Sequence, residues 1–209
     1  MAELKVSNFN LALFQEPKNP LSDEQFSEIY LKVLKDFPFV DQLSNPILTA
    51  RRKVGGQISL NPAFLQFLGM EAKDFESDLK IIKDISSVYF PHYKTEKLKQ
   101  IAIRLVSIVQ ARFINAERQL LINEDFRLNQ ETKENLNFGA EIKVGVRLVF
   151  QRNGKRYDLR IEPHFANLDQ NYIDLNIVIL NPDKTPEYFL DFIYEEVNFL
   201  KEKISRLIP

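Results

Sequence analysis

Apolar and polar positions alternate with a period of two along much of this chain, and give way to helical spacing in a few places. Leu4 to Phe14 reads as a strand with Phe9, Leu11 and Leu13 on one face. Leu4 and Val6 fall on the opposite parity, and a bulge near Ser7-Asn8 reconciles the two sets. The next stretch, "NPLSDEQF", opens a helix with Ser22 as N-cap and Gln25 closing a capping box. Phe26, Ile29, Tyr30, Val33, Leu34 and Phe37 then recur at helical spacing until Pro38. "ILTARRKVGGQISL" reads as a hairpin around a three-residue loop, Gly55-Gly56-Gln57, with Leu48, Ala50, Val54, Ile58 and Leu60 on one face. Residues 62–89 carry helical periodicity broken near Gly69, and Phe75, Leu79, Ile82 and Ile85 form the apolar stripe of the second part.

"KLKQIAIRLVSIVQ" is open to both strand and buried helix; its β-branched content and the alternation of Ile101, Ile103 and Leu105 favour a strand. Residues 114–136 are polar and read as a short helix with loops. Residues 138–163 form a second hairpin, "YIDLNIVIL" a further strand, and Pro186 opens a closing helix to residue 207. The stripe of that helix is Phe189, Phe192, Ile193, Val197, Leu200, Ile204 and Leu207. The expected fold is a single α+β domain over 1–209. Its antiparallel sheet has about six strands, covered on one face by the helices at 22–37 and 186–207.

The second hairpin carries the most legible chemistry. Asn153-Gly154 suits a type I′ turn, which makes opposed residues sum to 307. Val146, Leu148 and Phe150 then face Ile161, Leu159 and Tyr157 on one side. On the other, Arg147 opposes Arg160, Val149 opposes Asp158 and Gln151 opposes Arg156. Arg147 reaches Asp158 and Glu162 diagonally, so a charge ladder balances the arginines without any ligand. The tip, Arg152, Lys155 and Arg156, is more purely basic. A second basic site, Arg51, Arg52 and Lys53, adjoins the Gly-Gly turn, either as an anion-binding hairpin tip or as cations protecting a strand edge. The two sites could form one anion- or partner-binding patch only if their hairpins are neighbours in the sheet. Asp174, inside an apolar strand, shares a parity with Tyr172, Asn176 and Val178 and is expected to face solvent.

Composition narrows the remaining chemistry. The formal net charge of −1 directs the chain to neither nucleic acid nor acidic partners in bulk. Absence of cysteine excludes disulfides, thiolate catalysis and zinc-cysteine sites, and fits a cytoplasmic setting. The two histidines, His92 and His164, stand near no nucleophile turn and at no metal-ligand spacing. Scarce histidine and absent cysteine lead to the expectation of no metal and no covalent intermediate, and the lack of a phosphate-binding glycine loop to that of no cofactor. No window is apolar enough to span a membrane.

"LSDEQFSEIYLKVLKDFP", "LKQIAIRLVSIV", "YIDLNIVIL" and "PEYFLDFIYEEVNFLKEKI", taken in this order, resemble a sporadically distributed prokaryotic family without an established activity. The arginine-tyrosine-asparagine run frequent in its midchain strand is reduced here to Arg104. The resemblance implies a fold and a partner-binding or accessory role. Tyr188, Phe189, Phe192, Ile193, Tyr194, Phe199 and Leu200 make an apolar arc wider than one sheet face needs, which predicts a homodimer or a tight pairing with a neighbouring gene product. A protein partner is therefore expected ahead of nucleic acid, and an interaction protein ahead of an enzyme.

Overall fold

The computed structural model describes residues 5–71, 75–110, 145–164, 170–182 and 184–202. Its elements, in chain order, are β1 (Lys5–Phe14), α1 (Asp23–Leu34), β2 (Phe39–Ser44), β3 (Ile47–Arg51), β4 (Gln57–Asn61), β5 (Phe64–Glu71), α2 (Phe75–His92), β6 (Gln100–Gln110), β7 (Val146–Arg152), β8 (Lys155–Pro163), β9 (Gln170–Leu180) and α3 (Tyr188–Glu202). Among the described residues the strands form one nine-stranded sheet in the order β2-β3-β4-β5-β1-β6-β9-β8-β7. Every adjacent pair is antiparallel. The α+β class and antiparallel sheet agree with the sequence reading; the strand count of about six does not.

One row of side chains crosses the whole sheet: Val40, Ala50, Ile58, Phe67, Leu11, Ile103, Ile177, Tyr157 and Phe150. From Ala50 to Tyr157 this row is buried, because the helices lie on that face. α1 and α2 pack together over β3 and β5, while α3 packs against β1 and β6. Phe26, Ile29, Val33 and Phe37 fill the first half of the core; Phe189, Phe192, Ile193, Val197 and Leu200 fill the second. The opposite face of the sheet carries no helix among the described residues and is lined by polar and half-buried side chains.

Local sequence explains much of this. Ser22 Oγ accepts from Gln25 N at 3.3 Å and Gln25 Oε1 accepts from Ser22 N at 3.3 Å, completing the capping box that starts α1. The β1 bulge lies between Val6 and Asn8 on the β6 side, as the parity change requires. A second irregularity, between Phe9 and Leu11 on the β5 side, is absorbed by Gly69, whose φ of 61° lets its N–H reach Asn10 Oδ1 at 2.6 Å.

Three expectations are corrected. Residues 64–71 are strand, because Leu65 and Phe67 face the core while Phe64 and Leu68 half-bury on the other face; filling both faces imitates helical spacing. The first hairpin pairs Leu48 with Leu60 and Ala50 with Ile58, so its loop runs from Arg52 to Gly56 and leaves Val54 70% exposed instead of facing the core. β2 adds a strand where no alternation marks one, since all six of its residues are exposed. The reading of residues 114–136, Leu4, the start of the second hairpin (138–144) and the last turn of the closing helix (203–207) lie outside the described residues.

Candidate functional site

The second hairpin has the register that its turn dictates. Asn153 and Gly154 take φ of 50° and 73°, and Val146 through Arg152 pair with Ile161 through Lys155, opposed residues summing to 307. Phe150 and Tyr157 stack with ring centres 4.8 Å apart on the core side. On the open face Arg147 donates twice to Asp158, from Nε at 2.9 Å and Nη2 at 2.6 Å. Those bonds hold the Asp158 carboxyl below its ordinary value, and the Arg160 and Arg156 charges act in the same direction. Arg160 and Arg156 make no ion pair among the described residues.

The charge ladder extends further than the hairpin. Arg160 lies opposite Asp174 of β9, and Asp174 is only 5% exposed. It is on the predicted face but not in solvent, because Arg104 of β6 closes over it. Arg104 Nε reaches Oδ1 at 2.8 Å and Nη2 reaches Oδ2 at 2.7 Å, while Asn176 Nδ2 adds a bond to Oδ1 at 3.2 Å. Tyr172 Oη lies 3.4 Å from Arg104 Nη2. The hydrogen bonds to Asp174 raise the Arg104 pKa above its usual value. Charged side chains thus span β6, β9, β8 and β7, with Arg104 paired to Asp174 and Arg147 to Asp158. At the turn end, Gln151, Gly154, Arg156, Asp158, Asn176, Val178 and Leu180 line an open groove of about 470 Å³.

Lys155 departs from the expected basic tip. It shares the parity of Tyr157, Leu159 and Ile161, so its side chain enters the core face and is 9% exposed. There Nζ donates to Glu196 Oε1 at 2.6 Å and to Glu195 Oε2 at 2.8 Å, and stands 4.9 Å over the Phe192 ring. Tyr157 Oη donates to Glu196, lying 3.1 Å from each carboxylate oxygen. Burial alone would lower the Lys155 pKa, but the bonds from both glutamates reverse that and raise it. Burial, with the Glu196 charge second, pushes Tyr157 up to about 12. Arg152 turns back over Phe199, 4.7 Å from its ring centre. Lys155 and Arg152 therefore fasten α3 to the hairpin, which leaves Arg156 as the outward cation of the tip.

The first basic site divides in the same way. Arg51 pairs with Asp41 of β2 through two contacts of 2.6 Å on the open face. Arg52 points to the helix side, 2.6 Å from Asp78 Oδ1 and 5.0 Å over Phe37. Lys53 is exposed in the loop. The two basic sites are not neighbours: β5, β1, β6 and β9 lie between β4 and β8, a span of roughly 25 Å at ordinary strand spacing. They cannot form one patch.

His92 meets Glu28 at 2.8 Å across α1 and α2. Among the described residues no group of three or more His, Asp or Glu could hold a metal ion, and no helix is long and apolar enough to cross a membrane. No model of a known protein family matches the chain, and no curated protein matches it.

Proposed function

We propose that this chain is a non-enzymatic interaction protein of the cytoplasm that self-associates through the edge of its sheet. The observation that carries this reading is β2. Among the described residues it is a terminal strand with no residue buried, and it presents Phe39 at 50%, Leu43 at 48% and Val40 beside them. Unpaired strand edges with apolar side chains are templates for another strand. The bulge between Val40 and Gln42 brings Val40 and Leu43 to the helix side, opposite Ala50 and Leu48. An antiparallel copy of β2 would set Val40 of each chain against Leu43 of the other, continuing the apolar row of the core across the junction.

The closing helix is not the interface in this reading. Phe189, Phe192, Ile193 and Leu200 are buried in the chain's own core, Tyr188 and Phe199 pack partly against it, and Tyr194 alone of the arc is exposed. Anion binding by the arginine hairpin is the weaker reading, because Asp158 and Asp174 sit among its cations. The family resemblance implies the same accessory role. Light scattering at micromolar concentration tests the proposal: a dimer that becomes a monomer in Val40→Lys/Leu43→Lys, with unchanged circular dichroism, supports it. A wild-type monomer, or a dimer indifferent to these substitutions, sinks it.

A further inference from the structure

Phe14 pairs with Gln100, so the connection after β1 and the connection before β6 lie side by side at one end of the sheet. Backbone hydrogen bonds fix both. Gln15 N donates to Ala63 O at 2.9 Å and Lys18 N to Pro62 O at 3.2 Å, while Lys99 N donates to Phe14 O at 2.8 Å and Leu98 N to Lys184 O at 3.2 Å. Between them runs a groove of about 340 Å³ lined by Glu16, Lys18, Lys94, Thr95, Glu96, Lys97 and Lys99. Four lysines thus face two glutamates in a chain whose formal net charge is −1. Lys99 is committed to Glu16 at 2.7 Å, and Lys18 acts on that carboxylate only through space. Lys94 has no ion pair among the described residues.

Lys94 also occupies a position that its backbone disfavours. α2 ends in a Schellman motif: Thr95 N donates to Phe90 O at 3.0 Å and Lys94 N to Pro91 O at 2.9 Å. The motif puts Lys94 in the left-handed region, at φ 49°. Glycine enters that region without a steric penalty, whereas a residue with a Cβ does not. The negative end of α2 favours a cation within its last turn, and its effect does not reach beyond that turn. Neither the helix dipole nor the turn accounts for four lysines around one groove.

We propose that this groove is a binding site for an oligophosphate, a chain of two or three phosphates either free or carried on a nucleotide. Lysine ammonium groups bind phosphate oxygens as adaptable point charges, and the groove volume falls at the lower end of small-ligand clefts. The anion would bridge Lys18 and Lys94, which come from opposite walls.

Calorimetric titration with inorganic tripolyphosphate at low salt is the test, with Lys18→Ser, Lys94→Gly and, as a control on the exposed flank of α2, Lys83→Ser. Wild type and the control should bind alike. Lys18→Ser and Lys94→Gly should each weaken binding by about fivefold, the share of one screened charge contact. Lys94→Gly carries a second readout of opposite sign: its melting temperature should rise, because glycine fits the left-handed position. Equal affinity for tripolyphosphate and ATP would support a free phosphate chain as ligand, and tighter ATP a nucleotide. No binding at millimolar tripolyphosphate, equal loss in the Lys83→Ser control, or unchanged affinity in Lys18→Ser and Lys94→Gly would each overturn the proposal.

Discussion

Replacing Lys155 by methionine keeps the unbranched stem of the side chain and removes the ammonium that lies 2.6 Å from Glu196 Oε1. The Glu196 side chain is 2% exposed, so among the described residues its carboxylate would retain a single donor, the Tyr157 hydroxyl. Breaking a buried ion pair from one side costs about 3–5 kcal/mol, because the orphaned charge has neither water nor a partner. The second contact, to the exposed Glu195, adds little. A methionine at 155 also leaves Phe192 an apolar neighbour, which places the expected loss near the lower bound, about 3 kcal/mol. Removing both charges together, as Lys155→Met/Glu196→Leu, should return stability to within about 2 kcal/mol of wild type, since the buried pair mainly repays its own desolvation and the remaining loss is the Tyr157 hydroxyl left without an acceptor. Urea titration followed by far-ultraviolet circular dichroism measures all the required values, Glu196→Leu alone completing the double-mutant cycle. A single-variant loss below about 1 kcal/mol, or a double variant as unstable as the two singles added, would refute the view that this pair acts as one neutralised unit.

Alkaline pH should attack this pair and also the end of α2 in the other half of the core. The folded pKa values of Tyr157 and Tyr93 are each pushed up to about 12, Tyr89 is pushed up further by burial, and Lys155 is also raised. Groups raised on folding stabilise fully below their unfolded pKa, so stability should hold to about pH 10 and fall as pH climbs towards 12. Ionisation of all seven tyrosines at about pH 10 with circular dichroism intact would contradict the shifts. Arg104→Gln should cost about 2 kcal/mol, because it strips a nearly buried Asp174 of its two strongest donors. Arg147→Gln, on an exposed pair, should leave the urea midpoint unchanged; the reverse ranking would show that burial does not decide the worth of these pairs. Ser22→Ala should cost about 1 kcal/mol by removing the α1 cap, and a null effect would mean that α1 is held by packing alone.

What could be read from sequence depended on how local the deciding physics was. The Asn153-Gly154 turn sets every pair of its hairpin, and Ser22 with Gln25 sets the start of α1; both are decided within a few residues. β2 and β5 were hidden for opposite reasons, the first having water on both faces and the second apolar contact on both. Asp174 shows a further limit: parity gives its face, but its burial comes from Arg104, seventy positions away. The Lys155–Glu196 pair did leave a trace. Lys155 falls on the apolar parity of β8, and Glu196 falls within the apolar stripe of α3 between Phe192 and Leu200. Two opposite charges, each out of place in an apolar pattern, point to one another. The lysines of the β1–β6 loop end leave no comparable trace, because they come from segments that only the sheet order brings together.

β1 comes first in the described chain yet fifth across the sheet, with β5 on one side and β6 on the other. The half from β2 to β5 is a run of neighbouring antiparallel strands whose turns close within a few residues. β1 can join that half as soon as β5 exists. Its other edge must wait for β6, where Phe14 meets Gln100 and Lys5 meets Ile108, a closure over roughly 90 residues. Pairings of such sequence separation form slowly. A chain emerging from the ribosome therefore passes through a stage with its central strand bare along one side, the side that later carries β6, β9, β8 and β7. At that stage the apolar edge most open to a wrong partner is the middle of the finished sheet, and the seam at β1 sets when the two halves become one core.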